Sequence, residues 1–120
     1  MKVAIIGSRN LHNDMLEAFV PAGTTEIVSG GATGIDTCAR EFALKNDYPI
    51  KEFLPDYKKY GRSAPSRRND LIIDYSDLVL AFWDGKSAGT KYVIERCQKI
   101  GKPIKVFIDN EVSPPDWGEK

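Results

Sequence analysis

The sequence predicts an α/β fold, a three-layer Rossmann-like open parallel sheet of about five strands with helices on both faces. Two observations predict it. Short apolar runs alternate along the chain with longer segments whose apolar residues recur at helical spacing. Glycine-rich turns punctuate the change from one kind of segment to the other. Alternation of this kind builds βαβ units, whose parallel sheet must be covered on both sides. Right-handed crossovers then favour the strand order 3-2-1-4-5.

Taken in order, Lys2 to Ile6 reads as a buried strand that breaks at Gly7-Ser8-Arg9. Leu11, Met15, Leu16 and Phe19 recur at helical spacing and predict a helix stopped by Val20-Pro21. Glu26 to Ser29 is a second strand, closed by Gly30-Gly31-Ala32-Thr33-Gly34. Ile35, Cys38, Ala39, Phe42 and Ala43 then follow the i, i+3, i+4, i+7, i+8 pattern of an amphipathic helix. Pro49 to Leu54 supplies a third strand, and Pro55 to Ser66 reads as irregular because Pro55, Gly61 and Pro65 interrupt it. A helix is expected from Ser66 to Tyr75 and a fourth strand from Leu78 to Trp83. After the turn Asp84 to Gly89, the residues Val93, Ile94, Cys97 and Ile100 mark a last helix, ended by Gly101-Lys102-Pro103. Ile104 to Ile108 is the fifth strand. Residues 1–110 are expected to form the domain and 111–120 a surface tail.

Composition narrows the function classes. Of 120 residues, 42% are hydrophobic and 28% charged, the values of a folded protein. Seventeen basic residues balance seventeen acidic ones, which argues against nucleic acid as a partner and leaves only a local basic patch open to it. No stretch approaches the roughly 20 apolar residues of a membrane helix. Cys38 and Cys97 are far apart, form no CxxC pair, and share the chain with a single histidine, His12. They read as buried free thiols of a cytoplasmic protein, with no metal site and no cofactor implied.

Ligands of doubly wound sheets bind beyond the carboxyl ends of the strands, where the strand order reverses. Here that point lies between the first and fourth strands, so three turns should converge on it. Gly7, Ser8 and Arg9 come from the first; Gly30, Gly31, Ala32, Gly34 and Asp36 from the second; Ser87, Gly89 and Thr90 from the last. Helix N-termini offer unpaired N–H groups and the positive end of the dipole to an anion. Arg9 adds a guanidinium able to grip a phosphate at two points. Thr33-Gly34-Ile35-Asp36 is also a capping-box pattern, which gives Asp36 a second reading as a helix cap beside one toward ribose hydroxyls. Gly85-Lys86-Ser87 mimics the end of a Walker A loop, but Leu80 occupies the place of its first glycine. The first turn lacks GxGxxG, and Ser29-Gly30 replaces the acidic residue that holds an NAD ribose, so neither a P-loop NTPase nor a standard dehydrogenase is supported. Tyr57, Lys58, Lys59, Tyr60, Arg62, Arg67 and Arg68 gather in one segment suited to closing over a ligand, with Arg68 facing the crevice from the start of its helix.

Gly7-Ser8-Arg9, Ser29 through Asp36, Arg68-Asn69, Asp77 and Gly89-Thr90 together resemble the SLOG superfamily, over Met1 to about Ile108. That group includes the LOG-type nucleotide phosphoribohydrolases and the DNA-processing protein DprA. The resemblance implies a Rossmann-like fold, a nucleotide-type ligand and a homo-oligomer. It matches Arg68 to the arginine with which LOG enzymes bind and cleave nucleotides. The LOG signature PGGxGTxxE is broken: aligned on Gly89-Thr90, Lys86-Ser87 replaces the glycine pair and Val93 the glutamate. The leading expectation is therefore binding of a phosphate-bearing nucleotide or nucleotide derivative, as a small-molecule partner, at these turns, with Asn69 among the contacts. One alternative is a nucleoside 5'-monophosphate phosphoribohydrolase with Arg68 and Asp84 as its catalytic pair. Another is DprA-like single-stranded DNA binding through the Lys58 to Arg68 loop.

Overall fold

The computed structural model describes residues 1–108 and 115. Five parallel strands, β1 (Lys2–Gly7), β2 (Glu26–Ser29), β3 (Ile50–Glu52), β4 (Leu78–Trp83) and β5 (Ile104–Ile108), form one sheet in the order β3-β2-β1-β4-β5. The fold and strand order are those the sequence predicts. Position 111 onward, expected as a tail, lies outside the described residues except for Pro115.

Period-two alternation decides which core each strand residue joins. Val3, Ile5, Ile27, Leu80, Phe82 and Phe107 point to one face and pack under α1 (Ile35–Lys45), where Ile35, Cys38, Ala39, Phe42 and Ala43 are all buried. Ala4, Ile6, Val28, Val79 and Ala81 point to the other. There they meet Ile72 and Ile73 of α3 (Ala64–Tyr75) and Val93, Ile94 and Cys97 of α4 (Ala88–Ile100). Phe19, Phe82 and Phe107 form an aromatic cluster on the first face, with centroids 5.0–5.2 Å apart. Among the described residues no helix is long and apolar enough to cross a membrane.

Two local expectations are corrected. Leu11 to Phe19 is not an α-helix; it is a loop with one 3-10 turn at Leu16–Ala18. Leu11, Leu16 and Phe19 are buried as their spacing suggests, but Met15 is 60% exposed. The Asn13 carboxamide oxygen accepts the Met15 N–H at 2.7 Å, a local side-chain bond that competes with helical pairing. The second correction concerns Pro55 to Ser66, which is largely helical: α2 (Tyr57–Tyr60) and a 3-10 turn at Gly61–Ser63 lead directly into α3. Asp56 caps α2 by accepting the Lys59 N–H, and Pro65 sits in the first turn of α3, where its missing N–H costs nothing.

Candidate nucleotide-binding crevice

β1 and β4 lie side by side with Gly7 opposite Phe82, so the turns that follow them leave the sheet together. Their closeness demands glycine: a Cβ on Gly7 would fall 2.5 Å from the Phe82 carbonyl oxygen and 2.7 Å from Ile35 Cγ1. The Ser8 N–H donates to the Phe82 carbonyl at 3.0 Å, and Ser8 Oγ accepts the Asp84 N–H at 3.1 Å, tying the two turns to each other. Between them opens a crevice of about 540 Å³.

One wall is the β1 turn, with Gly7, Ser8, Arg9 and Asn10. Arg9 is exposed, and its guanidinium makes no hydrogen bond or ion pair among the described residues. The opposite wall is the β4 turn and the start of α4, with Asp84, Ser87, Ala88, Gly89, Thr90 and Val93. The first N–H groups of α4 have no helical acceptor ahead of them, and a Cβ on Gly89 would meet no heavy atom within 4 Å, so the backbone there is open to approach. Ala32 and Asp36 come from the turn after β2, and Pro65, Arg68, Asn69 and Ile72 from α3. The sequence brings these residues together as expected. It does not anticipate Asn10, Pro65, Ile72 or Ala88, although Asn10 directly follows Arg9 in the same turn.

Gly30, Gly31 and Gly34, expected at the ligand, stand behind the wall. A Cβ on Gly30 would sit 2.5 Å from Arg68 Nη1, one on Gly31 would sit 2.5 Å from Leu54 Cδ2, and one on Gly34 would collide with the Arg9 carbonyl. These glycines let the β2 turn close upon Arg68 of α3, upon Leu54 after β3 and upon the β1 turn. The capping box is likewise not formed. Gly34 is the N-cap of α1 and makes no side-chain bond. Asp36 Oδ2 instead accepts the Ala32 N–H at 3.1 Å, while Oδ1 is buried without a hydrogen-bond partner among the described residues. Burial raises the Asp36 carboxyl above its ordinary value, against the Ala32 hydrogen bond and the Arg68 charge, which lower it.

Arg68 is 8% exposed. Its Nη1 donates to the Gly30 carbonyl at 2.6 Å and its Nε to Asn69 Oδ1 at 2.8 Å, so it clamps α3 to the end of β2. Burial lowers its pKa, offset in part by the Asp36 carboxylate, and the guanidinium stays charged. Asp84 is committed to its turn. Its Oδ1 accepts the Lys86 and Ser87 N–H groups at 2.8 and 2.7 Å, and its Oδ2 accepts Ser87 Oγ at 2.9 Å. Those bonds hold its pKa well below the carboxylate range. The buried Val93 fills the slot where a LOG enzyme carries glutamate. Asp84 is thus held as part of its own turn, away from the free role the Arg68–Asp84 catalytic pairing gives it.

Beside the crevice, α2 and the start of α3 carry an exposed basic strip. Residues 57–67 hold the exposed Lys58, Lys59, Arg62 and Arg67 and no acid. Tyr57 is 56% exposed and near enough to Arg68 to act on its charge. Arg67 and Lys59 lie over the Tyr60 ring at 4.9 and 5.1 Å.

A five-stranded parallel sheet in this order, with paired turns opening on one crevice at the switch point, defines a Rossmann-like domain. The profile of the family DNA recombination-mediator protein A matches residues 1–51. The gene 61 protein of Mycobacterium phage D29 is 32% identical over 89 residues, which span 69% of this chain and 71% of that protein. The solved structure of DNA processing protein A from Helicobacter pylori, described for its single-stranded DNA binding mode, superposes with a TM-score of 0.69 at 25% identity. That match covers 95% of this chain and 68% of the other. The chain belongs to this DprA-like, SLOG-type family.

One expectation falls here. The charge balance argued against a nucleic-acid partner, yet the matched family is a DNA recombination mediator and the structural neighbour binds single-stranded DNA. A sum over the whole chain hides a strip in which all charges have one sign.

Proposed function

We propose that the domain binds single-stranded DNA, seating one backbone phosphate in the crevice and laying neighbouring nucleotides along the α2–α3 strip. The observation that carries this reading is the junction of an anion-suited crevice with an aromatic and basic track. Arg9, the start of α4 and the hydroxyl of Thr90 suit a phosphate. Exposed Tyr57 and Tyr60, flanked by lysine and arginine, suit unstacked bases and the phosphates between them. A duplex keeps its bases stacked inside and gains nothing from such rings. The crevice alone also suits a free nucleotide, the ligand expected first from the sequence, but a mononucleotide leaves the strip unused.

Fluorescence anisotropy with a labelled oligothymidylate tests the reading. Saturable binding is expected, with competition by unlabelled single strands far stronger than by duplex or by thymidine monophosphate. Equal competition by the monophosphate would return the site to a small-molecule ligand. Absence of oligonucleotide binding at low salt would end the DNA reading.

A further inference from the structure

Along the flank of α1, Cys38, His12 and Asp14 form a chain of side chains that DNA binding does not use, at the edge of a second cavity of about 290 Å³. The Cys38 thiol lies 3.3 Å from His12 Nδ1, and His12 Nε2 pairs with Asp14 Oδ1. The carboxylate favours the tautomer with its proton on Nε2, which leaves Nδ1 as an acceptor facing the thiol. The Asn13 N–H approaches the same sulfur at 3.5 Å, a backbone donor placed where negative charge develops as the thiol ionises. Nucleophile, base and orienting carboxylate thus stand in line. Cys38 is 4% exposed and borders the cavity, which is its route to solvent. Cys97 has the opposite setting: it is fully buried in the second core, and burial pushes its thiol up to about 11.

We propose that Cys38 is a thiol–disulfide exchange site that takes small neutral or cationic aliphatic disulfides through this cavity. The thiol proton passes to His12 Nδ1, and the sulfur attacks one sulfur of the incoming disulfide. A new bond forms to Cys38 Sγ as the S–S bond of the reagent breaks, and the departing thiolate takes the proton from His12. One disulfide and one thiol are consumed; one mixed disulfide and one thiol are formed, with no other oxidant. Charge at the cavity sets the preference. Asp14, Glu17 and Glu41 line it against the single lysine Lys45, with His12 beside them, so an anionic reagent is repelled.

The test incubates the full chain with cystamine, a dication, or with 3,3′-dithiodipropionate, a dianion of similar size, and locates mixed disulfides by peptide mass spectrometry over time. Cys38 is expected to react with cystamine roughly tenfold or more faster than Cys97 does, and roughly tenfold faster than with the dianion at low salt. The second gap should shrink in about 1 M salt. His12→Gln removes the base from a side chain that is 64% exposed, so the fold survives, and it should slow Cys38 roughly tenfold or more. The proposal is overturned if Cys38 reacts no faster than Cys97, if the dianion matches cystamine at low salt, or if His12→Gln leaves the rate unchanged or raises it.

Discussion

Two arginines line the crevice and do opposite work. Arg68 is buried, and the Gly30 and Phe53 carbonyls and the Asn69 carboxamide take up its Nη1 and Nε donors. Arg9 is exposed, and its guanidinium makes no hydrogen bond or ion pair among the described residues, while its charge acts on Asp36. In sequence both read as phosphate ligands. In the structure Arg68 is a strut that shapes the wall, and Arg9 is the charge that the proposed reading assigns to a ligand. The difference teaches that an arginine in a binding crevice is informative about ligand in proportion to the donors the protein leaves unspent.

Substitutions sharpen or break that contrast. The largest effect is expected from Arg68→Ala. It leaves the Gly30 carbonyl, Asn69 and the Asp36 carboxylate without their buried partner, and should cost about 3 kcal/mol in urea denaturation. Were Arg68→Ala as stable as the parent chain but unable to bind, Arg68 would be a ligand residue and the contrast would fail. Arg9→Ala should do the reverse, changing stability by less than about 0.5 kcal/mol. It should weaken oligonucleotide binding roughly tenfold or more, the loss of one charge-assisted phosphate contact.

Gly89→Ala separates the same two roles in backbone. Its Cβ meets no protein atom within 4 Å, so folding should be unharmed or improved by up to about 0.5 kcal/mol. The methyl group projects at the open start of α4, and oligonucleotide affinity should drop several-fold in the same titration. Gly7→Ala, in contrast, should unfold the sheet edge, since its Cβ would meet the Phe82 carbonyl and Ile35.

The smallest effect expected is the pH dependence set by Asp36. Its folded-state pKa is raised by burial, so the folded chain holds this proton more tightly than the unfolded one. Its contribution to stability is therefore full below the ordinary carboxylate range. It declines as pH rises through the raised value and is flat above it. Asp36→Asn should remove that decline and make the chain more stable than the parent near neutral pH, as read by thermal melts across pH. A parent curve that instead rises through this window relative to Asp36→Asn would mean that Asp36 is a stabilising carboxylate.

Much of the fold was legible because burial and periodicity coincide. Ile35, Cys38, Ala39, Phe42 and Ala43 lie on one helical stripe and are all buried, and the alternating residues of β1 and β4 divide cleanly between two cores. Legibility failed where short polar side chains compete for the backbone. Asn13 captures the Met15 N–H, and a segment with helical spacing becomes a loop. Asp36 reaches the Ala32 N–H where a capping box would have used Thr33. In the site, glycine spacing located the converging turns but not their division of labour. Gly89 faces open space and Gly30 faces Arg68, a difference fixed by long-range packing that no local pattern encodes. The strip was visible as a cluster in sequence, but the balanced total charge argued it away.

The salt dependence of oligothymidylate affinity tests the central claim most directly. A phosphate in the crevice and others along Lys58, Lys59 and Arg62 predict a slope of log K against log salt of about −2 or steeper, since each contact contributes about −0.7 for a single strand. Arg9→Ala should reduce the slope by about one contact, and charge reversal along the strip should reduce it further. A slope near zero, or one that neither change alters, would contradict the account.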